Sequence, residues 1–271
     1  MPYVSTDGAR IFYTDSGGQD RPAVVLGHGF FMDLSMFAPQ AEYLEARGFR
    51  VLCWDARGHG ATVSDPEQSF TYWDSARDMF AVMDAAGVEH AILGGMSQGG
   101  YAVLHGALLA PERADALLLF DTEAGDSPEE QRQEYRGLFA AWTNPEVPIG
   151  QLSEGLAAQL IGGTVVDQSP WRYKWAASDR TAIRAAAQTL IERESLLDRL
   201  SEITCPALVL RGEHDGSSTA EKSAALAEGL PASGPVVTIP GAGHAANWTS
   251  PDLVNDALGE FLTRLTSSPV H

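Results

Sequence analysis

Short apolar runs, separated by segments with helical spacing, are the dominant pattern along this chain. Ala23-Val24-Val25-Leu26, Val51-Leu52-Cys53-Trp54, Ala91-Ile92-Leu93, Ala116-Leu117-Leu118-Leu119-Phe120, Ala207-Leu208-Val209-Leu210 and Val236-Val237-Thr238-Ile239 contain almost no polar residue. Runs of that length read as strands buried on both faces of a sheet. Between them apolar residues recur every three or four positions: Leu34, Phe37, Ala41 and Leu44; Trp73, Ala76, Phe80 and Met83; Val254, Leu258, Phe261 and Leu265. Gly48 and Gly87 close the first two of these helices, and a further helix is expected around Ala220 to Leu230. Tyr3–Thr6 and Arg10–Tyr13 flank Asp7-Gly8, the signature of an edge hairpin. Six buried strands and the hairpin predict an eight-stranded, mostly parallel α/β sheet covered by helices on both faces.

One stretch breaks the alternation. From about Asp126 to Leu200 no strand is expected, only helical patterns interrupted at Pro145, Pro148, Gly162-Gly163 and Pro170. This predicts a core of residues 1–125 and 201–271, with 126–200 inserted as a helical cap or lid over the strand C-termini. Three of the six tryptophans, Trp142, Trp171 and Trp175, fall in the insertion. They are expected, with Phe31 and Trp248, to line a substrate pocket, although such aromatics also serve simply to pack a small helical unit.

The chemistry starts at Gly95-Met96-Ser97-Gln98-Gly99, with an apolar strand before it and a helix after it. Strand, tight Gly-x-Ser-x-Gly turn and helix are the context of a nucleophile elbow, in which glycines remove side chains that would collide at the turn. A serine hydroxyl needs a base, and the base needs an orienting group. His244 lies in the glycine-rich loop after the last strand, and Asp215 lies at the end of the strand before it. The order serine, acid, histidine is the one expected on such a sheet. Asp121 and Glu123 follow an earlier strand and remain alternatives for the acid. The backbone amides of Gln98 and Phe30 are the candidate oxyanion donors, one opening the helix and one in the loop after the first apolar strand. His28 and His59 are expected to shape their loops.

Composition narrows the partners. The chain has 271 residues, is 44% hydrophobic and 20% charged, and carries a formal net charge of −18, which disfavours nucleic acid and anionic membrane surfaces. Cys53 and Cys205 are expected to be free, buried thiols. Neither a signal-peptide pattern nor an apolar run of about 20 residues is present, so a cytoplasmic location is expected. His90, His105 and His214 lack partners at ligand spacing, and no dinucleotide or P-loop pattern occurs, so neither metal nor cofactor is expected.

Taken together, His28-Gly29-Phe30, Asp55-x-Arg57-Gly58-His59-Gly60, Gly95-x-Ser97-x-Gly99-Gly100, Gly212-Glu213-x-Asp215 and Gly241-x-Gly243-His244 resemble the α/β-hydrolase superfamily over nearly the whole chain. The chain looks most like the capped, cofactor-free branch of enol-lactonases and carboxylesterases, with Gln98 where methionine is common and Trp248 where an aliphatic residue is usual. The resemblance implies hydrolysis of a small ester or lactone through an acyl-enzyme on Ser97. Carbon–carbon bond hydrolysis or perhydrolysis on the same three residues is the alternative. A lyase or a ligand receptor on this scaffold is the more distant one. Aspartate would be needed in place of Ser97 for dehalogenase or epoxide-hydrolase chemistry.

Overall fold

A computed structural model describes residues 2–267. Its sheet is built from β1 (Tyr3–Thr6), β2 (Ala9–Asp15), β3 (Ala23–Gly27), β4 (Arg50–Trp54), β5 (Val63–Ser64), β6 (Ala91–Met96), β7 (Ala114–Phe120), β8 (Ala207–Gly212) and β9 (Val237–Ile239). Eight strands run in the order β1-β2-β4-β3-β6-β7-β8-β9. The six from β4 to β9 along that path are parallel, and the β1–β2 hairpin closes one edge antiparallel. The expected eight strands are joined by a ninth, β5, which pairs only with Ala9 and Arg10 of β2. Two residues are too short to set up a visible alternation, so this strand leaves no trace in the sequence pattern.

Side chains alternate across the parallel strands because successive residues of a strand face opposite sides. Val24 and Leu26 join the core under α1 (Ala38–Glu45) and the C-terminal helix, while Val25 joins the opposite one with α2 (Tyr72–Ala85) and α3 (Gln98–Leu109). Both faces are thus buried, which is why these strands carry few polar residues. Cys53 is buried in β4, where burial pushes its thiol up to about 12. Cys205 is only half-buried, which corrects the expectation of two buried thiols.

Helices α4 (Glu129–Thr143), α5 (Ile149–Leu160), α6 (Val165–Ala177) and α7 (Arg184–Ile191) lie between β7 and β8. Pro145 and Pro148 separate α4 from α5, and Gly162 and Gly163, both at positive φ, separate α5 from α6. Pro170 was expected to break the chain and does not, because it sits inside α6. A capping box between Thr164 and Asp167 starts that helix, and buried Trp171 and Trp175 anchor it. The carbonyl that the proline deprives of its amide partner belongs to Val166, at a highly exposed position where water can satisfy it. The remaining helices are α8 (Ala220–Gly229), the single turn α9 (Ala246–Thr249) and α10 (Pro251–Ser267). No helix of the described residues is long and apolar enough to cross a membrane.

The chain leaves β3 toward β4 on one side and later places β6 on the other, so loops diverge at the C-terminal ends of β3 and β6. Such a divergence opens a crevice where ligands bind in parallel sheets. At this point α3 approaches the sheet so closely that a Cβ on Gly99 would overlap the Gly27 carbonyl, and one on Gly95 would overlap the Gly99 backbone. Backbone on both sides leaves nothing flexible to move aside. Gly99→Ala should therefore destabilise the fold by at least about 3 kcal/mol. Gly137→Ala, in α4 with no atom near the added methyl, should stabilise by about 1 kcal/mol. Urea midpoints of the two variants, measured side by side, check the pair.

Candidate active site

Ser97 links β6 to α3 at φ 51 and ψ −114, a conformation that ordinary L-residues avoid. Neighbouring backbone holds it there: the Ser97 amide donates to the Phe120 carbonyl at 3.0 Å, and the Thr122 hydroxyl donates to the Ser97 carbonyl at 2.8 Å. The side chain faces a cavity of about 160 Å³ that is also lined by His244, Phe30 and Gln98. His244 follows β9 on the Gly241–Gly243 loop, whose Gly241 amide is held by the Glu213 carboxylate at 2.8 Å.

His244 Nδ1 lies 2.9 Å from both carboxylate oxygens of Asp215, and both residues are buried. Burial pushes the Asp215 carboxyl up, but the His244 ring and the Ser217 and Ser218 amides outweigh it and hold the group below its ordinary value. An ionised Asp215 accepts the Nδ1 proton, which leaves Nε2 as the basic nitrogen of the ring.

The two alternative acids are occupied elsewhere. Asp121, fully buried at φ 44, accepts the Gly212 amide at 2.7 Å and the Ala246 amide at 3.3 Å. Burial, and then the charge of Asp215, raise its carboxyl well above the usual carboxylate value, which disfavours a second ionised carboxylate beside Asp215. Glu123 lines the cavity but is paired with Arg193 at 2.6 Å and Lys222 at 2.9 Å. That cluster joins residues 70 and 99 positions apart, a separation that leaves no local signal in the sequence.

The aromatic residues divide into groups. Phe31, at φ 65, lines the Ser97 cavity and also a second cavity of about 500 Å³ behind it. Trp142 and Trp175 line only that second cavity, with Trp175 donating its Nε1 proton to the Phe31 carbonyl at 2.6 Å. Trp171 lines neither and meets the Trp248 ring at 5.4 Å, while Trp248 donates to the Asp167 carbonyl. Of the five aromatics expected at a substrate pocket, Phe31 alone lines the Ser97 cavity, and none of the four tryptophans does. A helix presents its side chains all round, and which of them meets a cavity is set by how α4 and α6 dock, which spacing alone does not specify. Among the described residues, no three His, Cys, Asp or Glu side chains stand together as metal ligands.

The family profile of serine aminopeptidase S33 matches residues 18–247. The chain belongs to this family of α/β hydrolases. Over 97% of its length it is 29% identical to a non-heme chloroperoxidase of Burkholderia pyrrocinia, covering 99% of that protein. It is 25% identical to 3-oxoadipate enol-lactonase 2 of Acinetobacter baylyi, with 93% and 92% of the two chains covered. A thermophilic esterase of Thermogutta terrifontis superimposes with a TM-score of 0.87 at 29% identity, over 97% and 98% of the chains.

In this hydrolase the loop after β3 is fixed by two histidines. His28 Nε2 accepts the Ala56 amide at 2.9 Å, and its Nδ1 lies 2.8 Å from the Gly29 carbonyl. His59 Nδ1 lies 2.9 Å from the Arg57 carbonyl and Nε2 accepts the Phe31 amide at 3.2 Å, an arrangement that only the neutral ring can satisfy. The Phe30 amide, one residue earlier, has no acceptor among the described residues. Burial, with the nearby His28 contributing, pushes His59 down to about 3, whereas an unfolded histidine titrates near 6.5. As pH falls from about 6.5 toward 3 the unfolded chain takes up a proton that the folded one refuses, and the fold loses about 1.4 kcal/mol per pH unit from this group. His59→Gln should flatten the stability profile over that window, as read by denaturant midpoints at stepped pH.

Proposed function

We propose that the chain is a serine-dependent hydrolase of carboxylic esters or lactones. The observation that carries this reading is the strained Ser97 facing one cavity with a buried His244 whose Nδ1 reaches both oxygens of Asp215. In the proposed cycle His244 Nε2 takes the Ser97 hydroxyl proton as Oγ attacks the substrate carbonyl. The resulting oxyanion receives the amides of Phe30 and Gln98, the latter among the free N–H groups at the start of α3. Collapse expels the alcohol, which carries away the proton from His244. Water, deprotonated by the same ring, then opens the acyl-enzyme and frees the acid. Asp215 keeps the ring oriented and offsets its positive charge throughout.

Residues 126–200 are the proposed cap over this cavity, with 1–125 and 201–271 as the catalytic core. Tyr135, Phe139 and Leu156 of α4 and α5 line the cavity from above. The enol-lactonase and esterase relatives support the ester or lactone class. The chloroperoxidase relative favours a second reaction on the same serine, in which hydrogen peroxide replaces water and releases a peracid.

Initial rates on short p-nitrophenyl esters and simple lactones test the reading. Ser97→Ala should abolish turnover while moving stability by less than about 1 kcal/mol. Asp215→Asn should lower kcat by about 10⁴, the scale for loss of an orienting acid. Turnover that survives Ser97→Ala would sink the mechanism, and a Glu123→Gln variant that loses activity while Asp215→Asn keeps it would transfer the acid.

A further inference from the structure

Eight buried side-chain nitrogen or oxygen atoms among the described residues have no hydrogen-bond partner. Two of them belong to residues that line the Ser97 cavity: Gln98 Nε2 and Gln131 Oε1. The other six belong to residues that do not. Folded proteins pair the great majority of their buried polar atoms, so an unpaired amide on a cavity wall calls for a partner that the protein itself does not supply.

The two atoms differ in kind. Gln131 donates its Nε2 proton to the Tyr135 hydroxyl at 3.2 Å, which leaves Oε1 as a bare acceptor. Gln98 is nine-tenths buried, and its Nε2 is a bare donor one residue after the proposed nucleophile. A hydroxyl is a small uncharged substituent that supplies both an acceptor and a donor on one atom. On the same wall the Glu123 carboxylate is already paired with Arg193 and Lys222, so it is not left as an acceptor for the substrate. The cavity of about 160 Å³ has room for roughly five waters, which limits the group it takes to a few carbons.

We infer that Gln98 and Gln131 form a recognition site for a short hydroxyacyl group, with the hydroxyl on a carbon close to the scissile carbonyl. The inference rests on the proposed serine mechanism and assigns its acyl specificity. An unsubstituted acyl chain leaves both amides unpaired and is disfavoured for that reason, as in other sites built to hydrogen-bond a substrate hydroxyl.

Ethyl 3-hydroxybutanoate, as each enantiomer, and ethyl butanoate are the probes, with kcat/KM measured for the wild type, Ser97→Ala, Gln98→Met and Gln131→Leu. The wild type should favour one hydroxy ester over butanoate by at least about tenfold, one hydrogen bond's worth of discrimination. Gln98→Met and Gln131→Leu should each bring that ratio to within about threefold of unity. The wild-type ratio needs no substitution, so a variant that fails to fold leaves the inference testable. Ser97-dependent turnover with no preference for the hydroxy ester, or a preference that survives both substitutions, overturns the inference and leaves the serine mechanism standing. No Ser97-dependent turnover of any of these esters overturns both.

Discussion

The contact on which the rest of the molecule depends is between backbones. The first turn of α3 rests on the end of β3 with no side chain between them, because Gly99 faces the Gly27 carbonyl and Gly95 faces the Gly99 peptide. That approach sets the height at which Ser97 leaves the sheet, and it brings the free amides of the α3 N-terminus beside the loop that carries Phe30. Glycine has the lowest helix propensity of any residue but proline, so Gly99 lowers the intrinsic stability of the helix. The loss is offset by burial, since α3 is enclosed between the sheet and α2, with Gly106 giving Met79 its space.

The end of β7 connects the three candidate catalytic residues. Phe120 accepts the Ser97 amide and Thr122 donates to the Ser97 carbonyl, so both sides of the serine are held from this one segment. Asp121, between them, accepts the amide of Gly212, three residues before Asp215, and that of Ala246, two residues after His244. Its positive φ is the strain that allows one residue to face both neighbours. A displacement of any one loop is therefore felt by the other two through the hydrogen bonds of three consecutive residues.

Much of this was legible beforehand, and the limits have physical causes. Buried strands read clearly because both faces demand apolar residues, and the Ser97 turn read clearly because its glycines answer a local steric need. The places of Asp215 and His244 followed from strand ends, where parallel sheets gather their loops. What stayed hidden is set by docking across long stretches of sequence. Trp142 and Trp171 look alike in the sequence, yet one borders a cavity and the other meets Trp248. Pro170 reads as a helix breaker only if the carbonyl it orphans is buried, which a sequence does not reveal. Gln98 stood out as a polar residue where methionine is common, but its counterpart Gln131 comes from α4 and gave no signal of its own.

The pair of buried carboxyls explains why one acid and not the other faces the histidine. Two carboxylates in contact inside a protein cannot both be ionised, because burial and mutual repulsion act together. Asp121 and Asp215 each accept two backbone amides, so hydrogen bonding from the main chain does not separate them. The difference is His244, which places a donor and the prospect of a positive charge against Asp215 alone. The ionised form is therefore favoured at Asp215 and disfavoured at Asp121. That division sets an anion behind Nδ1 of the imidazole and disfavours a second charge in the same pocket, the arrangement that the proposed mechanism requires.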